Sequence, residues 1–221
     1  MMKNSPLHAD ATGAKEILLG VTGSIGAYKA ADLVRRLKEQ ACALTVVMTK
    51  EACQFIAPLT LQALSERTVH TDLFSLEGPA VIHTTLADQA KLVLIAPATA
   101  NIIAKLANGL ADDLLTCVVL ATKAPVLIAP AMNVQMYEHP MVQENIKRLR
   151  RLGYHFVGPQ VGRLACGYDA IGHLAEVETI VQAALQLVAA VRRPAPQRVQ
   201  GNRASRRGAR RPSRRTAVRR R

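Results

Sequence analysis

Short apolar runs alternate along the chain with longer stretches in which apolar residues recur every three to four positions. Residues 16–22 (EILLGVT), 43–49 (ALTVVMT), 91–97 (KLVLIAP), 124–130 (APVLIAP) and 154–158 (YHFVG) have the length and apolar character of buried strands. Helical spacing marks 27–40, 51–65 (with Pro58 opening a second segment), 83–88, 98–109, 112–122, 141–153 and 176–191. Gly109 and Gly153 stop two of these helices, and Asp112 and Asp113 place acids in the first turn of another, where the helix dipole favours them. Residues 130–137 show no clear helix start and predict a strand-end loop. Residues 159–175, with Gly162, Gly167 and Gly172, predict a glycine-containing loop.

Strands that are apolar throughout and alternate with helices predict an α/β fold. It is a doubly wound parallel sheet with helices on both faces, in three layers. Such sheets take ligands beyond the carboxyl ends of their strands. The segments just past Thr22, Met48, Ala96 and Ala129 are therefore the ones to search.

Composition divides the chain. Of 221 residues, 29 are Lys or Arg and 16 Asp or Glu, a net charge of +13. Residues 191–221 hold 13 Arg, no Lys and no acid, which leaves 16 basic and 16 acidic residues in 1–190. The predicted organisation is a short N-terminal extension (1–14), one neutral domain (15–190) and an Arg-rich, disordered tail (191–221). A basic total confined to the tail argues against a nucleic-acid-binding fold and leaves only non-specific, salt-sensitive binding through the tail. No apolar run has the ~18 residues of a membrane helix, and the polar N-terminus does not read as a signal peptide, so a cytoplasmic protein is expected. Cys42, Cys53, Cys117 and Cys166 are widely spaced, which suggests neither a metal site nor a disulfide framework.

Each candidate has an ordinary reading beside a chemical one. Gly23-Ser24-Ile25-Gly26 turns a strand into a helix; it suits a mononucleotide phosphate, or is a tight turn. Thr99 in Pro97-Ala98-Thr99-Ala100-Asn101 either caps a helix or contacts a flat ligand, for which the small neighbours leave room. Asn133 can orient a carboxylate, while Met132 and Met136 read as packing. His83 reads as structural unless other observations place it in a site. Cys166, in a Gly-bearing loop, is a better candidate for chemistry than the three cysteines on regular elements.

Together these motifs are specific. Gly23-Ser-Ile-Gly-Ala-Tyr-Lys29, Pro97-Ala-Thr-Ala-Asn101, Pro130-Ala-Met-Asn133 with Met136-Tyr137, and Ala165-Cys-Gly-Tyr168 follow in the order and intervals of one family. From about residue 15 to 186 the chain resembles the flavin-containing cysteine decarboxylases, and within them the phosphopantothenoylcysteine-specific branch. The resemblance implies a flavodoxin/Rossmann-like fold that binds FMN. It implies that Gly23, Ser24, Ile25, Thr49, Lys50, Ala98, Thr99, Ala100 and Asn101 meet the cofactor. Asn133 and Met136 would meet the substrate, 4'-phosphopantothenoylcysteine, and His83 and Cys166 would be catalytic, Cys166 as proton donor on a mobile flap. It also implies homotrimers or dodecamers with sites at subunit contacts. At the end of the flap the family usually carries a basic residue where this chain has His173. Two other readings share the fold, a peptidyl-cysteine decarboxylase and a flavin prenyltransferase; the second does not need the flap cysteine.

Overall fold

The computed structural model describes residues 15–74, 81–163, 167 and 169–191. The predicted N-terminal extension and Arg-rich tail lie outside these residues, apart from the residue that ends the last helix.

Six parallel strands form the central sheet: β1 (Lys15–Val21), β2 (Cys42–Met48), β3 (Val69–His70), β4 (Leu92–Ala98), β5 (Val126–Pro130) and β6 (His155–Phe156). Their spatial order is β3-β2-β1-β4-β5-β6. This is a doubly wound order with its switch point between β1 and β4. Without the two-residue β3 it reduces to the flavodoxin order. The sequence pattern missed β3, whose two residues lie in no apolar run.

Among the described residues eight α-helices connect or flank the strands: α1 (Ala30–Glu39), α2 (Pro58–Ser65), α3 (Ile82–Gln89), α4 (Ala100–Asn108), α5 (Leu114–Ala121), α6 (Val134–Glu138), α7 (Pro140–Arg151) and α8 (Val177–Val191). Alternate strand residues feed two cores. On one face Ile17, Leu19 and Val21 of β1 pack with Leu33 and Leu37 of α1 and Ile180 and Val181 of α8. On the other face Leu18 of β1 and Val93 and Ile95 of β4 pack with Ile103 of α4, Leu115 of α5 and Leu149 of α7. Side chains alternate between faces at every step, so a strand covered on both sides must be apolar throughout. β4 shows this fully, with all seven residues buried.

Local chemistry sets the helix ends. Thr99 caps α4 by accepting from the Ile102 N–H at 3.3 Å, and Gly109 ends that helix in the left-handed region at φ 69°. Asp113 precedes α5 as its cap, not as a first-turn acid. Its carboxylate accepts from the Thr116 N–H at 2.8 Å, and the Thr116 hydroxyl accepts from the Asp113 N–H at 3.2 Å.

Two expected loops are structured. Residues 134–138 form the short helix α6, begun by Asn133, whose Oδ1 accepts from the Gln135 N–H at 2.8 Å. The cap lies inside the Pro130–Asn133 segment, which hid the start. The predicted loop 159–175 contains an antiparallel hairpin of β7 (Gln160–Arg163) and β8 (Asp169–His173). Gly162 packs against His173 within the strand pair, and Gly172 packs against Met132 at the β5 end.

Among the described residues no helix is long and apolar enough to cross a membrane, and no cluster of three His, Cys, Asp or Glu side chains could hold a metal ion.

Gly20 in β1 marks a close sheet-to-helix approach, between β1 and α5. A Cβ there would stand 2.6 Å from a methyl carbon of Leu115, itself 1% exposed. Gly20→Ala is expected to cost about 1–3 kcal/mol through overpacking, read as a lower urea midpoint with an unchanged slope. An unchanged midpoint would show that Leu115 can yield.

Candidate active site

The switch point opens into a cleft of about 510 Å³. Its walls come from three strand ends and the hairpin. Gly23, Ser24 and Ile25 follow β1; Thr99 and Ala100 follow β4; Ala131, Asn133 and Met136 follow β5; Gly172 and His173 belong to β8.

The buried hydroxyl of Thr22 joins the first two walls. It donates to the Pro97 carbonyl at 2.7 Å and accepts from the Thr99 N–H at 3.1 Å. Ser24 joins the first wall to the third, its hydroxyl donating to the Ala131 carbonyl at 3.2 Å. The same oxygen accepts from the Gly26 N–H at 3.4 Å and starts a short 3-10 helix, Ile25–Lys29. The Ala131 N–H donates to the Ala98 carbonyl at 3.0 Å. Thr22, Ser24 and Ala131 thus fix the relative positions of the β1, β4 and β5 ends.

The hairpin is seated on the β5 end through backbone. The Met132 N–H donates to the Gly172 carbonyl at 3.0 Å. Gly172 has φ 129°, and a Cβ on it would stand 2.2 Å from the Met132 carbonyl oxygen. Only glycine meets both demands. Beside it the Lys29 ammonium lies 3.0 Å from Nε2 of His173. An ammonium has no acceptor, so Nε2 must accept and the imidazole proton sits on Nδ1.

The lining is mostly apolar and small. Among the described lining residues Lys29 carries the one full positive charge, and none is a carboxylate. Ile25 and Tyr28 are each 59% exposed at the rim and Met136 is 50% exposed. Exposed apolar side chains grouped around a concavity mark a surface that a ligand or another chain covers.

The expected site residues divide into groups. Gly23, Ser24, Ile25, Thr99, Ala100, Asn133 and Met136 meet at this cleft. Ala98 is fully buried behind its wall. Asn101 is exposed on the first turn of α4, outside the lining residues. Thr49 and Lys50 line a second cleft of about 420 Å³, with Asp72 and Lys105. Gly23 stands at the divide: a Cβ on it would be 2.4 Å from Glu51 Cβ. In the second cleft Lys105 pairs with Asp112 at 2.8 Å and Asp113 at 3.0 Å, and its hydrogen bond holds the Asp112 carboxyl below its ordinary pKa. His83 is half-buried at the start of α3 and lines neither cleft. Cys166 lies outside the described residues. Sequence reasoning missed the structural role of Thr22 and the Lys29–His173 pairing, whose partners are 75 and 144 positions distant.

A parallel sheet whose switch point carries a glycine turn, a helix-capping threonine and a small-residue lining defines a doubly wound α/β protein with a ligand cleft at its switch point. The Flavoprotein family model matches residues 6–189, and the chain belongs to that family. It is 52% identical over 171 residues to the coenzyme A biosynthesis bifunctional protein CoaBC of Bacillus subtilis, covering 77% of this chain and 42% of that protein. It is 48% identical over 171 residues to a probable phosphopantothenoylcysteine decarboxylase of Streptococcus mutans, covering 76% of this chain and 96% of the other. Among solved structures it resembles a cysteine-to-serine variant of PPC decarboxylase complexed with pantothenoylaminoethenethiol, with TM-score 0.71 and 31% identity over 78% of this chain and 97% of that one. The chain spans about two-fifths of the length of the bifunctional relatives it matches.

Thr22→Val keeps the shape but leaves the Pro97 carbonyl and Thr99 N–H without their partner. It is expected to cost about 1–3 kcal/mol of unfolding free energy. Chemical denaturation would show it, and a cost near zero would mean that the walls hold without this hydroxyl.

Proposed function

We propose that the chain binds FMN at the switch-point cleft and decarboxylates 4'-phosphopantothenoylcysteine to 4'-phosphopantetheine, a step in coenzyme A biosynthesis. The observation that carries this reading is convergence on one cleft: the glycine turn, Thr99 and the Asn133–Met136 segment meet there beside the hairpin that holds Cys166 in its sequence. The walls suit a flat cofactor, since Gly23, Gly26, Ala100 and Ala131 leave room and Ile25, Tyr28 and Met136 offer apolar cover.

A cysteine amide has no electron sink for losing CO2. FMN held by Gly23, Ser24, Ile25, Thr99 and Ala100 would supply one, a two-electron oxidant for the CH2–SH group that gives the electrons back once CO2 has left. The chain's residues orient and protonate. Asn133 is held in one rotamer by its cap to Gln135, so its NH2 is the donor end that would meet the substrate carboxylate. Met136 covers the substrate. Cys166 delivers the proton that completes the product. His83 lines neither of the two clefts described above and would serve a neighbouring copy's site, which makes a homotrimer, alone or grouped into a dodecamer, the working unit in the cytoplasm.

Purified protein should be yellow and release FMN on denaturation, and it should evolve CO2 from 4'-phosphopantothenoylcysteine. Cys166→Ser should stop after CO2 release and accumulate the oxidised enethiol product, identified by mass. A colourless protein that does not take up FMN would overturn the reading. Full turnover in the serine variant would remove Cys166 from its role.

A further inference from the structure

His173 sits where several constraints meet. The Gly172 carbonyl before it is tied to the Met132 N–H at 3.0 Å, which fixes the strand at the cleft wall. On the partner strand Gly162 leaves a space: a Cβ there would stand 3.2 Å from the imidazole Cγ. The ring therefore packs closely over a residue without a side chain. Its Nε2 then accepts from Lys29, the last residue of the 3-10 helix that follows the glycine turn. Two segments of the cleft, 144 positions apart in sequence, are joined by this one polar contact between side chains.

The contact bears on what the cleft binds. A lysine side chain is long and loses much rotamer freedom when it is fixed on a ligand. His173 fixes it beforehand. One of the three ammonium N–H groups is engaged by the imidazole, and two remain to be used by an anion. Among the described lining residues no carboxylate neutralises that charge. Lys29 is half-buried there, so its charge is screened less than that of a fully exposed lysine.

We propose that His173 is a positioning residue that holds the Lys29 ammonium on the cleft wall and so makes the cleft selective for ligands bearing a phosphate monoester. The proposal rests on the flavin and substrate reading above, in which both the cofactor and the substrate carry such a group. Lysine recognises phosphate as a compact point charge, and a dianion gains more from it than a carboxylate does.

The test compares each phosphorylated ligand with its dephosphorylated form. One arm measures the ratio of KM values for pantothenoylcysteine and 4'-phosphopantothenoylcysteine. The other measures the ratio of Kd values for riboflavin and FMN by flavin fluorescence, which needs no turnover. His173→Phe keeps a ring over Gly162 but has no acceptor, and should lower at least one ratio about tenfold, the scale of a lost hydrogen bond to a charged group. His173→Gln restores an acceptor and should recover most of the loss. Lys29→Gln should lower the same ratio, and combining it with His173→Phe should lower it no further, since the two act as one unit. A change in the substrate arm assigns the pair to the substrate phosphate, and a change in the flavin arm to the cofactor's. Unchanged ratios in both arms, or additive losses in the double variant, would overturn the proposal. If His173→Phe does not fold, His173→Leu takes its place. Absence of decarboxylation in the wild-type protein would overturn the substrate reading, and the flavin arm would then decide the proposal alone.

Discussion

In a doubly wound sheet the chain winds outward from one point in two directions, and the strands at that point are neighbours in space but far apart in sequence. Nothing local holds their ends in step. Here the Thr22 hydroxyl does so, donating to the carbonyl of Pro97 and accepting from the N–H of Thr99. Thr22 is 1% exposed, so neither bond is exchanged readily with water. The positions of the glycine turn, of the α4 cap and, through Ser24 and Ala131, of the β5 end all depend on this link. The cleft is open because these three ends are held apart at fixed distances while their small residues leave the space between them empty.

Most of the fold was legible in the sequence because its signals are local. Apolar runs marked β1, β2, β4, β5 and β6, and Gly109 and Gly153 marked helix ends. The features that escaped detection have no local signature. β3 gains its strand character only by pairing with Val46 and Val47 of β2. The hairpin reads as a loop because its glycines look like breaks; in space Gly172 permits contact with Met132 and Gly162 makes room for His173. α6 was hidden because Asn133, singled out for its chemistry, is also its cap. At the site, residue types in motifs identified seven of the cleft-lining positions. Thr22 reads as an ordinary strand end until its partners 75 and 77 positions away are known.

The site residues expected from motifs are spread over more surface than one pocket. Gly23 and Glu51 form a ridge between the main cleft and the one that holds Thr49 and Lys50. A ligand that reaches both must pass over that ridge, at the position where the chain has no side chain to obstruct it. The exposed apolar rim points the same way. Ile25, Tyr28 and Met136 surround the opening and leave apolar area in water, a cost that is recovered only when something is laid across them. The domain therefore presents a surface built to be completed from outside.

The hairpin is attached to this surface through backbone, by the Gly172 carbonyl, the Met132 N–H and the missing Cβ of Gly172, and through one described side chain, His173 on Lys29. Seating and chemical character are thus carried mostly by different atoms. Residues along β7 and β8 can change through evolution without unseating the hairpin, and each change alters what the cleft meets from that side. A lineage can in this way move between related substrates one substitution at a time, with the scaffold kept intact throughout.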